Sequence, residues 1–243
     1  MKTVAVFQED LATGALGLPS LAAEDFLGEP VLRAMVRGLV EYSSIDAVAI
    51  LTPAAARDRL ASLLEGLPVT FHEPGPDTSL RPLWRRGRKW ATSSWRSGLG
   101  NASVLDEWGA PADLRRVLNE TGATAVVKVA VLNPIVDGEL LDELLAAARK
   151  VDSEVLLLPS PPGFHFEYYR APFLDEMIEK GVRTGDYLTL SLDRTNRDPV
   201  LTEAFFRPAE ALIEGRFRVA ADTRHGLEVV REIARLWPVG PKG

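Results

Sequence analysis

The sequence contains no cysteine, which removes disulfides, thiolate zinc sites and cysteine nucleophiles from consideration and fits a reducing compartment. It also lacks any run of about 18 apolar residues, the length needed to cross a bilayer. The short apolar stretch after Met1-Lys2-Thr3 does not make a signal peptide. The expectation is a cytoplasmic protein with no membrane partner. There is no basic excess. A net charge of −6 argues against nucleic acid as a partner. Only three histidines are present, and His72 and His225 have no partner at a recognisable metal spacing, which makes them structural or surface residues. No repeat, low-complexity tract or second domain is visible, so residues 1–243 read as one domain.

What is present alternates between two periods. Residues 3–8 (TVAVFQ), 47–51 (AVAIL), 125–132 (AVVKVAVL) and 155–159 are short, apolar and partly β-branched, the pattern of buried strands. Residues 68–72 make a weaker one. Between them lie helical patterns: one opened by Gly28-Glu29-Pro30, one from 53 to near Gly66 with Thr52 as a cap, one over 111–120 stopped by Gly122, and one over 137–150. Farther on, 187–192 reads as a strand, 199–214 as largely helical, 216–220 as a last strand and 226–237 as a closing helix. The tail from 238 frays. Alternating strands and helices predict a three-layer α/β/α sandwich on a mostly parallel sheet. The irregular segment 74–100 interrupts the alternation.

Three stretches resemble the cytidylyltransferases that activate sugars for surface polysaccharides, the CMP-sugar synthetases and spore-coat polysaccharide cytidylyltransferase-like proteins. The first runs from Val4–Gln8 through Leu18-Pro19 to Leu27-Gly28-Glu29-Pro30-Val31-Leu32. The second runs from Val104-Leu105 through Gly122-Ala123 and Val126-Val127-Lys128-Val129 to Asn133-Pro134-Ile135-Val136-Asp137. The third is Arg218-Val219-Ala220-Ala221-Asp222-Thr223 with Leu227-Glu228-Val229-Val230 behind it. The resemblance implies a nucleotide-diphospho-sugar transferase-like fold. It implies a nucleotide or nucleotide-sugar ligand at Gln8, Thr13, Gly14, Lys128 and Asn133, and Mg²⁺ at Asp222. It also implies a homodimer formed through residues 161–214, where Phe164, Phe166, Tyr168, Tyr169, Phe173, Phe205 and Phe206 supply apolar surface. In such a site a sugar oxygen attacks the α-phosphate and pyrophosphate leaves, so positioning and charge neutralisation carry the rate.

The chain departs from this pattern where charge matters. The resemblance places basic residues near Asp10 and Gly17 and at Leu21, yet the loop from Glu9 to Leu21 holds none, and Glu9 and Asp10 are acidic. A carboxylate beside a triphosphate is repulsive. The family's Gly-Asp pair after the central strand is replaced by Val131 and Leu132, and leucine cannot ligate a metal. Each remaining candidate has a plain structural reading. Asp222 suits a helix N-cap, Asn133-Pro134 a turn, and Lys128 a strand position with its head at the surface or in a cleft. His165 suits packing among aromatics, although His165 with Glu167 also forms a candidate acid–base pair on one strand face. The run 81–96 (RPLWRRGRKWATSSWR) carries five Arg, one Lys, three Trp and no acid. It reads either as a solvated loop with tucked tryptophans or as a contact for an anionic ligand or partner.

Two functions follow. One is a fold relative that has lost transfer and serves as a binding or assembly subunit linked to nucleotide-sugar or surface-polysaccharide metabolism. The other is an active cytidylyltransferase with altered metal ligands. The missing aspartate and loop cations favour the first.

Overall fold

The computed structural model describes residues 2–14, 18–75, 110–129, 132–158, 160, 163–164, 166–181 and 219–236. The basic–aromatic run 81–96, His165, Phe205, Phe206 and the elements expected over 187–218 lie outside the described residues.

The apolar runs become strands of one six-stranded sheet. These are β1 (Thr3–Gln8), β4 (Ala47–Leu51), β5 (Val69–His72), β6 (Ala125–Val129), β7 (Val155–Leu157) and β8 (Phe166–Arg170), in the order β5-β4-β1-β6-β8-β7. β1 pairs parallel with both β4 and β6, and β4 pairs parallel with β5. β8 alone runs antiparallel, between β6 and β7. β6 therefore lies inside the sheet with a neighbour on each side, and every residue of its AVVKV is buried. That placement is what a run without polar alternation predicts for a strand covered on both faces. The sequence pattern missed β8, because Phe166, Tyr168 and Tyr169 are apolar on both faces and Glu167 is polar yet buried.

The helices form two layers. On one face lie α1 (Val31–Glu41), α2 (Ala54–Leu63) and α4 (Gly138–Lys150). Arg33 of α1 donates to the Leu63 carbonyl at the end of α2 (3.2 Å), and Gly38 of α1 faces Val136 ahead of α4. On the other face are α3 (Pro111–Thr121) and α5 (Ala171–Glu179), joined by Arg115 to Asp175 at 2.7 Å. The last helix is α6 (Arg224–Leu236). Among the described residues no helix is long and apolar enough to cross a membrane.

Local chemistry explains the boundaries. Gly122 closes α3 in the left-handed region (φ 64°), a conformation that costs glycine nothing. Asp137 caps α4 by accepting from Leu140 N. Thr52 does not cap α2: Pro53 occupies the cap position, and the Thr52 hydroxyl faces the Pro53 carbonyl instead. Gly28-Glu29-Pro30 does not simply start α1. Leu27 and Gly28, both at positive φ, turn a two-stranded ribbon, β2 (Asp25–Phe26) with β3 (Glu29–Pro30), that delivers the chain to the helix. Four of the aromatics expected to face a partner, Phe166, Tyr168, Tyr169 and Phe173, are buried in the chain's own core. Burial raises the Tyr168 phenol above the usual range, against the pull of Arg170 and Arg149.

Candidate functional site

From β1 the chain moves outward through β4 to β5, then crosses back to place β6 on the other side of β1. The crevice outside the carboxyl ends of β1 and β6 is therefore the topological switch point, where open α/β sheets place ligands. Three groups of residues meet that edge.

The first is the loop after β1. Its backbone amides are engaged one after another. Glu9 N donates to the Leu51 carbonyl at 3.1 Å. The Glu9 carboxylate accepts from Asp10 N (2.9 Å) and Leu11 N (2.6 Å). The Asp10 carboxylate accepts from Ala12 N (2.8 Å) and Thr13 N (2.7 Å). Gly14 N donates to the Leu18 carbonyl at 2.8 Å. Leu11 takes a positive φ of 60° to make the turn. Thr13 pairs with Pro19 as an isolated bridge, and the Gln8 side-chain oxygen is buried with no hydrogen-bond partner among the described residues. Sequence reasoning saw Glu9 and Asp10 as misplaced charge and missed that they organise the loop. The signal was an aspartate two and three residues before main-chain donors, the usual geometry of an Asx turn.

The second is a cross-strand pair. Lys128 on β6 and Glu167 on β8 are register partners. Lys128 is 1% exposed, so its head is neither on the surface nor in open cleft. Its Nζ lies 2.9 Å from Glu167 Oε2, which also accepts from the Tyr169 hydroxyl at 2.7 Å. The Tyr169 ring stacks on Phe173 of α5, with centroids 5.6 Å apart. An ammonium and a phenol thus hold one buried carboxylate, the arrangement a low-dielectric interior demands of a charge.

The third joins residues after β6 to the segment before α6. Ala221 N donates to the Leu132 carbonyl at 2.7 Å, which sets Asp222 beside Leu132. Both are buried, Leu132 at 5% and Asp222 at 3% exposure, and Leu132 belongs to the apolar core. Thr223, not Asp222, caps α6 by accepting from Gly226 N (2.9 Å). Asn133 spends both amide hydrogens on carbonyls, Gly163 O (2.7 Å) and Ile135 O (2.8 Å), and its oxygen accepts from Ile135 N. It binds the loops together as the turn residue of one reading. Asn133→Ala is expected to cost about 2–3 kcal/mol, since it strands buried carbonyls. Chemical denaturation measures it, and a loss below about 0.5 kcal/mol contradicts the bracing role.

A Mg²⁺ site built on two carboxylates does not fit these residues. Asp222 supplies one, but its neighbour Leu132 has no donor atom and packs as core.

No family profile matches the sequence, and no curated protein sequence matches it at a significant level. Solved structures do match its fold. A cytidylyltransferase from Leptospira borgpetersenii superposes with a TM-score of 0.68 at 13% identity, covering 98% of this chain and 89% of that one. CMP:2-keto-3-deoxy-manno-octonic acid synthetase complexed with CTP gives 0.57 at 13% identity, covering 97% and 99%. A nucleotidyl transferase from Methanothermobacter gives 0.53 at 16% identity, covering 95% and 96%. The chain has the fold of the cytidylyltransferases. Identity this low carries the fold and no more.

Proposed function

We propose that this chain is a cytidylyltransferase-fold protein that has lost metal-dependent transfer and serves as a binding or assembly subunit in nucleotide-sugar or surface-polysaccharide metabolism. The observation that carries the reading is Leu132, which packs as core and whose carbonyl accepts from Ala221, the residue before Asp222. The resemblance calls for a second metal carboxylate there. Support also comes from the loop after β1, whose amides bind Glu9 and Asp10 where the resemblance calls for cations around a triphosphate. Each missing transition-state contact costs about a hundredfold or more, so a lost carboxylate and two lost cations leave no useful rate.

Pyrophosphate release from CTP with Mg²⁺ and an acidic sugar such as 2-keto-3-deoxy-manno-octonic acid tests it. The expected rate is at least about 10⁴-fold below ordinary enzyme turnover. Turnover that Asp222→Ala abolishes would establish the other reading, an active transferase with altered ligands. That reading draws on the carboxylates that remain buried at this end of the sheet, Asp222 and Glu167.

A further inference from the structure

Sequence spacing offers His72 no partner, and the fold supplies two. His72 ends β5 with its imidazole buried. Thr70 stands two residues before it, on the same face of the strand, and is exposed. The Thr70 hydroxyl lies 2.9 Å from His72 Nε2. Across the ring, Nδ1 lies 2.5 Å from Oε2 of Glu120, which is half-exposed near the end of α3. An ionised carboxylate only accepts, so Nδ1 carries the proton of the neutral imidazole and Nε2 presents its lone pair to the hydroxyl. Arg116 lies 3.8 Å from the other Glu120 oxygen and pairs with Asp113 at 2.9 Å. A hydroxyl within hydrogen-bond reach of a base, with that base oriented by a third group, is the arrangement of an activated nucleophile.

We propose that Thr70, His72 and Glu120 form a second reactive site, on the outer strand of the sheet, in which Thr70 Oγ is the nucleophile for acyl transfer from an ester. This goes beyond the reading of the switch-point cleft and does not depend on it, because β4 separates β5 from β1. Thr70 Oγ bonds to the ester carbonyl carbon as its proton passes to His72 Nε2. The tetrahedral adduct collapses, the bond to the leaving oxygen breaks, and Nε2 gives the proton to that oxygen. Thr70 is left as an acyl ester. Water attacking that ester by the same proton route restores the hydroxyl and releases the acid. Glu120 is a positioning residue: it fixes the tautomer and stabilises the imidazolium. The main chain supplies a donor for the oxyanion. Val48 N donates to Pro68 O and Thr52 N to His72 O, so alternate residues of β5 turn toward β4. The Phe71 N–H turns the other way, where no strand pairs among the described residues. Phe71 directly follows Thr70, the position from which acyl-transfer sites often take an oxyanion donor. Among the described residues the carboxylates here, Glu73, Asp113 and Glu120, outnumber the one cation, Arg116, so an uncharged carbonyl is favoured over a phosphate.

p-Nitrophenyl acetate is the probe, added to the full-length protein, with peptide mapping by mass spectrometry to locate the acetyl group. A burst of nitrophenolate and an acetyl ester at Thr70 are expected. Thr70→Val removes both, and Thr70→Ser keeps them. His72→Gln is expected to slow acetylation of Thr70 at least about a hundredfold, the usual share of a general base. If that variant does not fold, Glu120→Gln decides, at a half-exposed position. A fall of about tenfold or more in the limiting rate of acetylation, at unchanged KM, supports the relay. Acetyl groups confined to lysines and the amino terminus overturn the proposal. So does a burst that survives Thr70→Val, or acetylation of Thr70 at the wild-type rate in a folded His72→Gln or in Glu120→Gln.

Discussion

Lys128→Met is expected to lower the free energy of unfolding by about 3–5 kcal/mol, because it takes an ammonium from beside a carboxylate that water cannot reach. Glu167 keeps the Tyr169 hydroxyl, but a neutral donor offsets only part of the cost of a buried negative charge. Glu167→Met does the converse, leaving an ammonium fully buried in the sheet. The double replacement, Lys128→Met with Glu167→Met, removes both charges from a site that is otherwise core, and it is expected to recover most of the loss. Urea denaturation of the four proteins gives the coupling between the two positions, expected at about 2 kcal/mol or more. Single variants that each lose less than about 1 kcal/mol would show that the pair does not hold β6 to β8. A double variant as unstable as the singles would show that the two side chains act through shape rather than charge.

Gly163→Ala is the second large effect. Gly163 sits at φ +110°, which L side chains rarely adopt, and a Cβ there would run into the carbonyl of Val219, far closer than the 3.0 Å that real Cβ atoms respect. Backbone rather than a flexible side chain is the obstacle, so relief requires moving the segment that carries Ala221 and Asp222 or breaking the Asn133 bond to the Gly163 carbonyl. The expected loss is about 3 kcal/mol or more, read from the shift in denaturation midpoint. Because the strain falls on residues 219–222, the amide resonances of Ala221 and Asp222 should also move, while those of β5 on the far side of the sheet stay in place. A variant as stable as the wild type, or one whose spectrum changes uniformly, would show that this close approach does not fix the segment.

Much of the frame was legible because it depends on local signals. β1, β4 and β6 are short, largely aliphatic runs without polar alternation, the pattern of strands covered on both faces in a parallel sheet. Gly122 ends α3 where its sequence position says it should, and Asp137 starts α4 by accepting from its own first turn. The helices over 111–121 and 138–150 follow from period and caps alone. β8 and α5 were not legible. The strand FEYYR is buried on both faces with a charge inside it, and Pro172 lies within the first turn of the helix that follows without a preceding break.

The candidate site divides the same way. By the resemblance, a leucine stands where a metal carboxylate is expected, acids stand where cations are expected, and one aspartate remains near the last helix. These are statements about identity at a position, and identity needs no coordinates. Which partner each residue takes was settled only by the tertiary structure. Lys128 reads as a surface or cleft residue until β8 returns antiparallel and sets Glu167 opposite it in register. Asp222 reads as a helix cap until Thr223 takes the cap and the Ala221–Leu132 bond draws the aspartate inward. Glu9 and Asp10 read as repulsion until the turn at Leu11 aims their neighbours' amides at them. Periodicity fixes which faces of an element are apolar. The partner of a charge is fixed by register and by where the chain crosses, because segments far apart in sequence supply the counter-charge.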